Sequence, residues 1–289
     1  MATEAQGLAM DPQGFRERID GVLLAFLATR RAEAVEVDPR AAEPIDEIVR
    51  LLEAGGKRIR PAFCYWGYRA AGGAEGDAIW RAAAALELLH TMALIHDDVM
   101  DPEMERRGAP SLHVRGSHAA ASRGHAAPER HGEAVAILVG DLAAVLADHL
   151  LLEAGFPPER LAPALERYHR MREVTAAGQY LDLVGADVDA GRVASAKGGA
   201  YSVEGPLLIG AALAGGTPQA EAALLAYGRP LGEAFQLHDD LVDDDASHGL
   251  GRAEIADLIE RAHEALRTPV TEPEAAAALA ALADLVGAA

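Results

Sequence analysis

No segment of this 289-residue chain sustains the two-residue alternation of apolar and polar side chains that a half-buried strand requires. Apolar residues recur at helical spacing instead: Ile19, Val22, Leu23, Phe26 and Leu27 fall near one stripe, and Asp77 to Met100 runs alanine-rich with few breakers. Helices are likewise expected from Ile45 to Glu53, Pro61 to Ala70, Glu133 to Glu153, Pro158 to Val184, Gly191 to Gly215, Thr217 to Asp243 (one helix or a pair), Arg252 to Leu266 and Glu272 to Val286. Abundant Ala and Leu with few aromatics favour the same state. The fold class is therefore all-α. Breakers divide it: a turn at Pro39 to Pro44, a helix stop at Gly55-Gly56, a loop around Pro102, Gly108 and Pro110, and a mobile surface connection from Ala119 to Gly132. Residues 1–14 read as a flexible tail and 15–289 as a single domain, with no linker and no fixed-period repeat.

Composition narrows the partners. A formal net charge of −19 repels nucleic acid and anionic lipid, so an anionic substrate would need cations concentrated locally, as Lys and Arg clusters or as bound metal. The single cysteine, Cys64, excludes an internal disulfide and a multi-cysteine zinc site; between Phe63 and Tyr65 it reads as a small core residue. The N-terminus lacks the basic start and apolar stretch of a signal peptide, and the longest apolar candidate for a span, Ala134 to Leu152, carries Asp141 and Asp148. A cytoplasmic protein with no membrane span is the expectation.

Against this background stand two acidic segments, Asp97-Asp98-Val99-Met100-Asp101 and Asp239-Asp240-Leu241-Val242-Asp243. Each follows an apolar helical run, Leu94-Ile95-His96 or Phe235-Gln236-Leu237-His238. Residues four apart share a helix face, so Asp97 points with Asp101 and Asp239 with Asp243. Such pairs repel, and at a helix C-terminus the dipole adds to the cost. A divalent cation relieves both, and hard oxygen donors without His or Cys in register favour magnesium over zinc. Asp98 belongs to the same acidic set. A single motif of this kind reads more readily as a solvated acidic face; two copies at the ends of apolar helices point to metal.

Cations stand close by in sequence. Lys57, Arg58 and Arg60 follow Gly55-Gly56, and a helix starting near Pro61 would offer free N–H groups to a phosphate. Arg106-Arg107-Gly108 comes five residues after Asp101, where arginines can hold the outer oxygens of a diphosphate. The histidines His113, His118 and His125 read as loop or surface residues.

With these segments in view, the chain resembles the trans-isoprenyl diphosphate synthases of the polyprenyl synthetase family, as in bacterial geranylgeranyl and farnesyl diphosphate synthases. The matching stretches are Gly55 to Pro61, Glu87-Leu88-Leu89-His90, His96 to Asp101 with Arg106-Arg107-Gly108, Gly140-Asp141, Gly178-Gln179-Tyr180, Lys197, Glu204-Gly205-Pro206 and Phe235 to Asp243. The resemblance implies helices around a central cavity, a homodimer (or a heterodimer) and two substrates. Isopentenyl diphosphate would be held by Lys57, Arg60, His90 and Arg107. The allylic diphosphate would be held by Arg106, Lys197, Gln236 and three magnesium ions. Asp97 and Asp101 would ligate two of these ions, and Asp239 the third with Asp243 acting through water. Metal and cations stabilise the departing diphosphate, the isopentenyl double bond attacks the allylic cation, the resulting cation loses a proton to the released diphosphate, and no protein nucleophile is required. The catalytic set is then Asp97, Asp101, Asp239 and Lys197. Product length would be set one turn before Asp97 by Met92 and Ala93, which lack the aromatic that stops growth at farnesyl; geranylgeranyl is expected ahead of farnesyl. A floor near Leu89 or on a facing helix is the alternative.

The chain departs from the family in two places. After Asp243 the family continues with a Gly-Lys loop and a Lys-rich segment, whereas here 244–251 runs straight into Arg252 to Leu266, a shortened C-terminal part with Arg252 as the nearest replacement cation. Gly198 follows Lys197 where the family more often has a hydroxyl residue. The shortening motivates one alternative, a weakly active or regulatory subunit of a heteromeric synthase. A class I terpene cyclase is another, opposed by the aspartate-type second motif and by an isopentenyl site that a cyclase does not need.

Overall fold

The structure, a computed structural model, describes residues 12–185, 195–243, 248–267 and 272–288; the side chains of residues 12, 13, 195–197, 239–243, 248–250 and 288 also lie outside the described set. Among the described residues are eleven α-helices: α1 (Pro12–Val37), α2 (Glu43–Glu53), α3 (Ile59–Ala70), α4 (Asp77–Met100), α5 (Leu112–Ser122), α6 (Pro128–Leu152), α7 (Pro158–Val184), α8 (Gly205–Ala214), α9 (Pro218–Asp243), α10 (His248–Ala265) and α11 (Pro273–Ala288). A 3-10 turn spans Pro39–Ala42 and a π-helical segment spans Ser195–Glu204. The all-α expectation holds. The extended structure described is one hairpin, β1 (Glu105–Arg106) with β2 (Ala109–Pro110).

The described residues gather into two compact units, one of Arg16–Arg58 with Trp80–Ala154 and one of those within 12–15, 59–79 and 155–288. In the first, α5 packs along α6 and α2 against α6. Small residues set the closest approach: a Cβ on Gly116 of α5 would stand 3.0 Å from the Cα of Gly132 on α6. This corrects the expected surface connection from Ala119 to Gly132. Ala119 to Ser122 complete α5, Pro128 opens α6 at a position where its missing N–H costs nothing, and Gly132 is a packing residue. His113 and His118 are accordingly helical. Likewise Pro12 to Gly14, assigned from sequence to the tail, lie within α1.

In the second unit α3 crosses α8, with π-segment, α7 and α9 packed around them. A Cβ on Gly67 would stand 2.9 Å from the Cα of Leu207. Tyr227 of α9 is wholly buried and donates its hydroxyl to the carbonyl of Leu279 on α11 at 2.7 Å. Cys64 is fully buried, as expected, and burial pushes its thiol up to about 12. Helix α3 starts at Ile59, two residues before the expected Pro61. The helix expected over Gly191 to Gly215 resolves into the π segment and α8; residues 191–194 lie outside the described set.

Among the described residues two helices, α4 and α6, are long and apolar enough to cross a membrane. Asp141 and Asp148 do not lower α6 below that level, contrary to the sequence expectation. The apolar stretch of α4 is 67% buried within the fold, as a core helix is.

Candidate active site

In the first unit α4 carries the first acidic segment. Its last turns run Glu87, His90, Met92, Ala93, His96, Asp97, Asp98, and the helical hydrogen bonding continues one residue beyond Met100, with the Asp101 amide donating to the Asp97 carbonyl at 2.8 Å. Asp97 and Asp101 therefore do occupy successive turns of one face, and both are solvent-accessible. Asp98 points elsewhere: it is 3% exposed, and its Oδ1 accepts from Arg106 Nε at 2.7 Å and Nη2 at 2.5 Å. Arg106 Nη2 also approaches Asp97 at 3.9 Å. The side chain directly before the acidic segment, His96, sits over Gly140 of α6, with Nε2 3.2 Å from the Ile137 carbonyl. Gly140 thus lets α6 seat the end of α4, a reason for that glycine that sequence reading did not supply.

The hairpin explains how adjacent arginines reach different partners. Its two-residue turn is Arg107-Gly108, both with positive φ (54° and 74°), as a primed hairpin turn demands. The sequence predicts only a loop here, because an Arg at the first turn position lacks the usual Asn or Asp signal. Arg106 turns to Asp98, while Arg107 is half-buried and donates Nη1 to the Leu51 carbonyl at 2.8 Å. Burial lowers the Arg107 pKa from its ordinary value; Glu87 opposes this, and Arg58, Arg106 and Arg16 add to it.

The basic segment after the diglycine also divides. Lys57 is exposed, but Arg58 is buried and makes ion pairs with Asp20 and Glu87, both at 2.7 Å. Of the three cations in Gly55 to Pro61, Arg58 is thus committed to the fold. His90 is half-buried on α4, one turn after Glu87. Met92 and Ala93 are half-buried, whereas Leu89, the alternative floor, is 1% exposed.

The second unit holds Arg60, Lys197, Gln236, Asp239 and Asp243. Arg60 donates Nη2 to Ser202 Oγ at 2.8 Å and lies over the Tyr201 ring at 4.6 Å, so it is docked on the π segment that includes Lys197. Such π turns recur at functional sites because they shift side chains out of α register. Gln236 of α9 faces the same segment: a Cβ on Gly198 would overlap its Oε1, and Gly199 meets Gly232 of α9 with a Cβ-to-backbone distance of 3.1 Å. The departure at Gly198 therefore has a physical reason, since a side chain there would displace Gln236. The side chains of Lys197, Asp239 and Asp243 lie outside the described residues, and of α9 only its backbone carries the second acidic segment here.

Among the described residues no three His, Cys, Asp or Glu side chains already converge on one point. Asp97 and Asp101 offer two exposed carboxylates on successive turns and leave the remaining positions to water and phosphate oxygens. That is the donor chemistry magnesium requires, so this half of a magnesium site fits. Beside it Arg106 is oriented by a buried carboxylate, and charge-assisted donors held this way suit a diphosphate.

Comparison with known proteins identifies the family. The polyprenyl synthetase family model matches residues 42–280. A short chain isoprenyl diphosphate synthase of Methanothermobacter thermautotrophicus is 36% identical over 215 residues, covering 71% of this chain and 62% of that protein. A geranylgeranyl diphosphate synthase of Methanosarcina mazei is 32% identical over 219 residues, covering 73% and 62%. The chain thus spans about 62% of the length of these relatives. The crystal structure of a geranylgeranyl pyrophosphate synthase of Corynebacterium glutamicum, complexed with isoprenyl diphosphate and magnesium, superimposes with a TM-score of 0.86 at 28% identity, covering 94% of this chain and 98% of that one. With the family model matching most of its length and two relatives above 30% identity, this chain belongs to the polyprenyl synthetase family.

Proposed function

We propose that the protein is a magnesium-dependent trans-prenyltransferase that condenses isopentenyl diphosphate with an allylic diphosphate, giving a short-chain trans-prenyl diphosphate, geranylgeranyl ahead of farnesyl. The observation that carries this reading is the solvent-accessible Asp97–Asp101 pair beside an Arg106 locked to Asp98. The names of the relatives support it, geranylgeranyl synthases being prominent among them.

Magnesium, when bound, neutralises the diphosphate and assists its departure from the allylic carbon. The chain's own residues do the rest. Asp97 and Asp101 hold the acidic side of the site, with Asp239 and Asp243 supplying the other acidic segment. Arg106, Lys197 and Gln236 bind the allylic diphosphate; its charge grows as the carbon–oxygen bond breaks, and fixed cations stabilise the ionising state more than the ground state. Lys57, Arg60, His90 and Arg107 hold isopentenyl diphosphate with its double bond toward the allylic carbon. Met92 and Ala93 leave room for a tail longer than farnesyl. A homodimer is the assembly we assign, with a cytoplasmic location.

Purified protein incubated with isopentenyl diphosphate, magnesium and dimethylallyl, geranyl or farnesyl diphosphate in separate reactions tests the proposal. Prenyl diphosphate extended by isoprene units is the expected product. Hydrocarbon release from an allylic diphosphate alone would establish a cyclase instead, and product only after adding a second synthase would establish a regulatory subunit.

A further inference from the structure

Glu87 has no role in the reaction as described, yet it is among the most deeply buried charged groups of the first unit, at 3% exposure. Its partner is Arg58, 2% exposed. The guanidinium of Arg58 spends its donors on four groups: Nη1 to Glu87 Oε1 at 2.7 Å, Nε to Asp20 Oδ1 at 2.7 Å, Nη2 to the Leu52 carbonyl at 2.7 Å, and Nη1 to the Gly55 carbonyl at 3.4 Å. It thereby ties α1, the C-terminus of α2, the diglycine loop and α4 to one point. The loop backbone needs that tie, because Gly55, Gly56 and Arg58 all have positive φ (106°, 155° and 53°), a region that strains a non-glycine residue such as Arg58. Between them Lys57 projects into solvent. Arg107 completes the cluster: a Cβ on Gly56 would stand 2.6 Å from Arg58 Nη1 and 3.1 Å from Arg107 Nη2, so both guanidiniums pack against this glycine.

A buried carboxylate between arginines opposes anion binding by Coulomb's law alone. Its compensating use is geometric. We infer that Glu87 is a positioning residue for the isopentenyl diphosphate subsite: through Arg58 it fixes the diglycine loop so that Lys57 and Arg107 present their cations to one diphosphate. This rests on the function proposed above for the identity of the ligand, and on the structure for the geometry.

The two roles predict opposite signs, and Glu87→Gln separates them because it keeps the shape and removes the charge. Isopentenyl diphosphate binding to the full chain is measured by calorimetry in EDTA, so that neither metal nor turnover enters. Positioning predicts that the dissociation constant rises about tenfold, the size of one lost charge-assisted hydrogen bond. Unchanged or tighter binding would overturn the inference. The double variant Arg58→Met with Glu87→Leu removes both buried charges, which restores thermal stability toward wild type. Binding should stay weak in it; recovery of affinity together with stability would show that the pair merely supports the fold and would also overturn the inference. If wild-type protein binds isopentenyl diphosphate but forms no product with any allylic diphosphate, the proposed activity fails while these affinities still decide the role of Glu87. If wild-type protein does not bind it, both fail.

Discussion

The guanidinium of Arg106 meets one oxygen of the buried Asp98 carboxylate through two nitrogens, at 2.7 and 2.5 Å, while the neighbouring Asp97 remains accessible. Adjacent aspartates of one motif thus do different work: buried Asp98 orients a cation, and Asp97 keeps a solvent-accessible carboxylate. Asp98→Asn keeps the shape and removes the charge that fixes Arg106. The Michaelis constant for the allylic diphosphate should rise about tenfold, and Asp98→Ala should in addition lower stability in urea titration by about 1–3 kcal/mol, because Arg106 is left partly buried without its partner. Equal kinetics in wild type and Asp98→Asn would remove Asp98 from the site.

Asp97→Ala, Asp101→Ala and Asp239→Ala should each reduce magnesium-dependent turnover at least about a hundredfold. Far-UV circular dichroism should not change, since removing a negative charge from a helix C-terminus relieves repulsion with the dipole. Turnover of wild-type protein should vanish in EDTA and return with added magnesium. Full activity in the aspartate variants would end the metal assignment.

Gly198→Thr restores the hydroxyl residue usual in the family but places side-chain atoms where Gln236 Oε1 stands. Displacement of Gln236 should raise the Michaelis constant for the allylic substrate and leave that for isopentenyl diphosphate unchanged. Gly232→Leu intrudes on the Gly199 backbone and should cost about 1–3 kcal/mol by overpacking, read as a lower midpoint in denaturant.

Half-buried Ala93 stands one turn before Asp97. Ala93→Phe should shorten the product to farnesyl, detected by chromatography of the dephosphorylated prenols. An unchanged product length would move the floor to Leu89 or to another helix.

Cys64 titrates with a folded value of about 12 against an ordinary 9.0, because burial penalises its thiolate. Above pH 9 the unfolded chain releases this proton and the folded chain does not, so ionisation favours unfolding. This site should therefore cost about 1.4 kcal/mol of stability per pH unit between about 9 and 12. Below pH 9 it contributes no slope. Cys64→Ala should flatten the alkaline loss by that amount, and native protein should resist thiol labelling at pH 8 until denatured.

Helical spacing made the fold class legible, since burial of one face fixes the period of apolar residues whatever the helix packs against. The candidate site was legible for a related reason. The first acidic segment has a local geometry that follows from helix periodicity, as the hydrogen bond between Asp101 and Asp97 bears out. Boundaries were less so. Gly132 looked like a loop residue because a glycine required by a helix crossing carries the same letter as one required by a turn.

What the sequence determined by itself is the helical architecture, the family, and the residue types able to hold metal and diphosphate. Tertiary structure alone decided how near-identical neighbours divide their labour. Lys57 faces solvent while Arg58 is buried on Glu87, Asp97 is accessible while Asp98 clamps Arg106, and Gly198 is small because Gln236 occupies the space beside it. Those outcomes depend on which distant group lies within hydrogen-bond reach, and desolvation makes each buried charge choose a partner that no local pattern records.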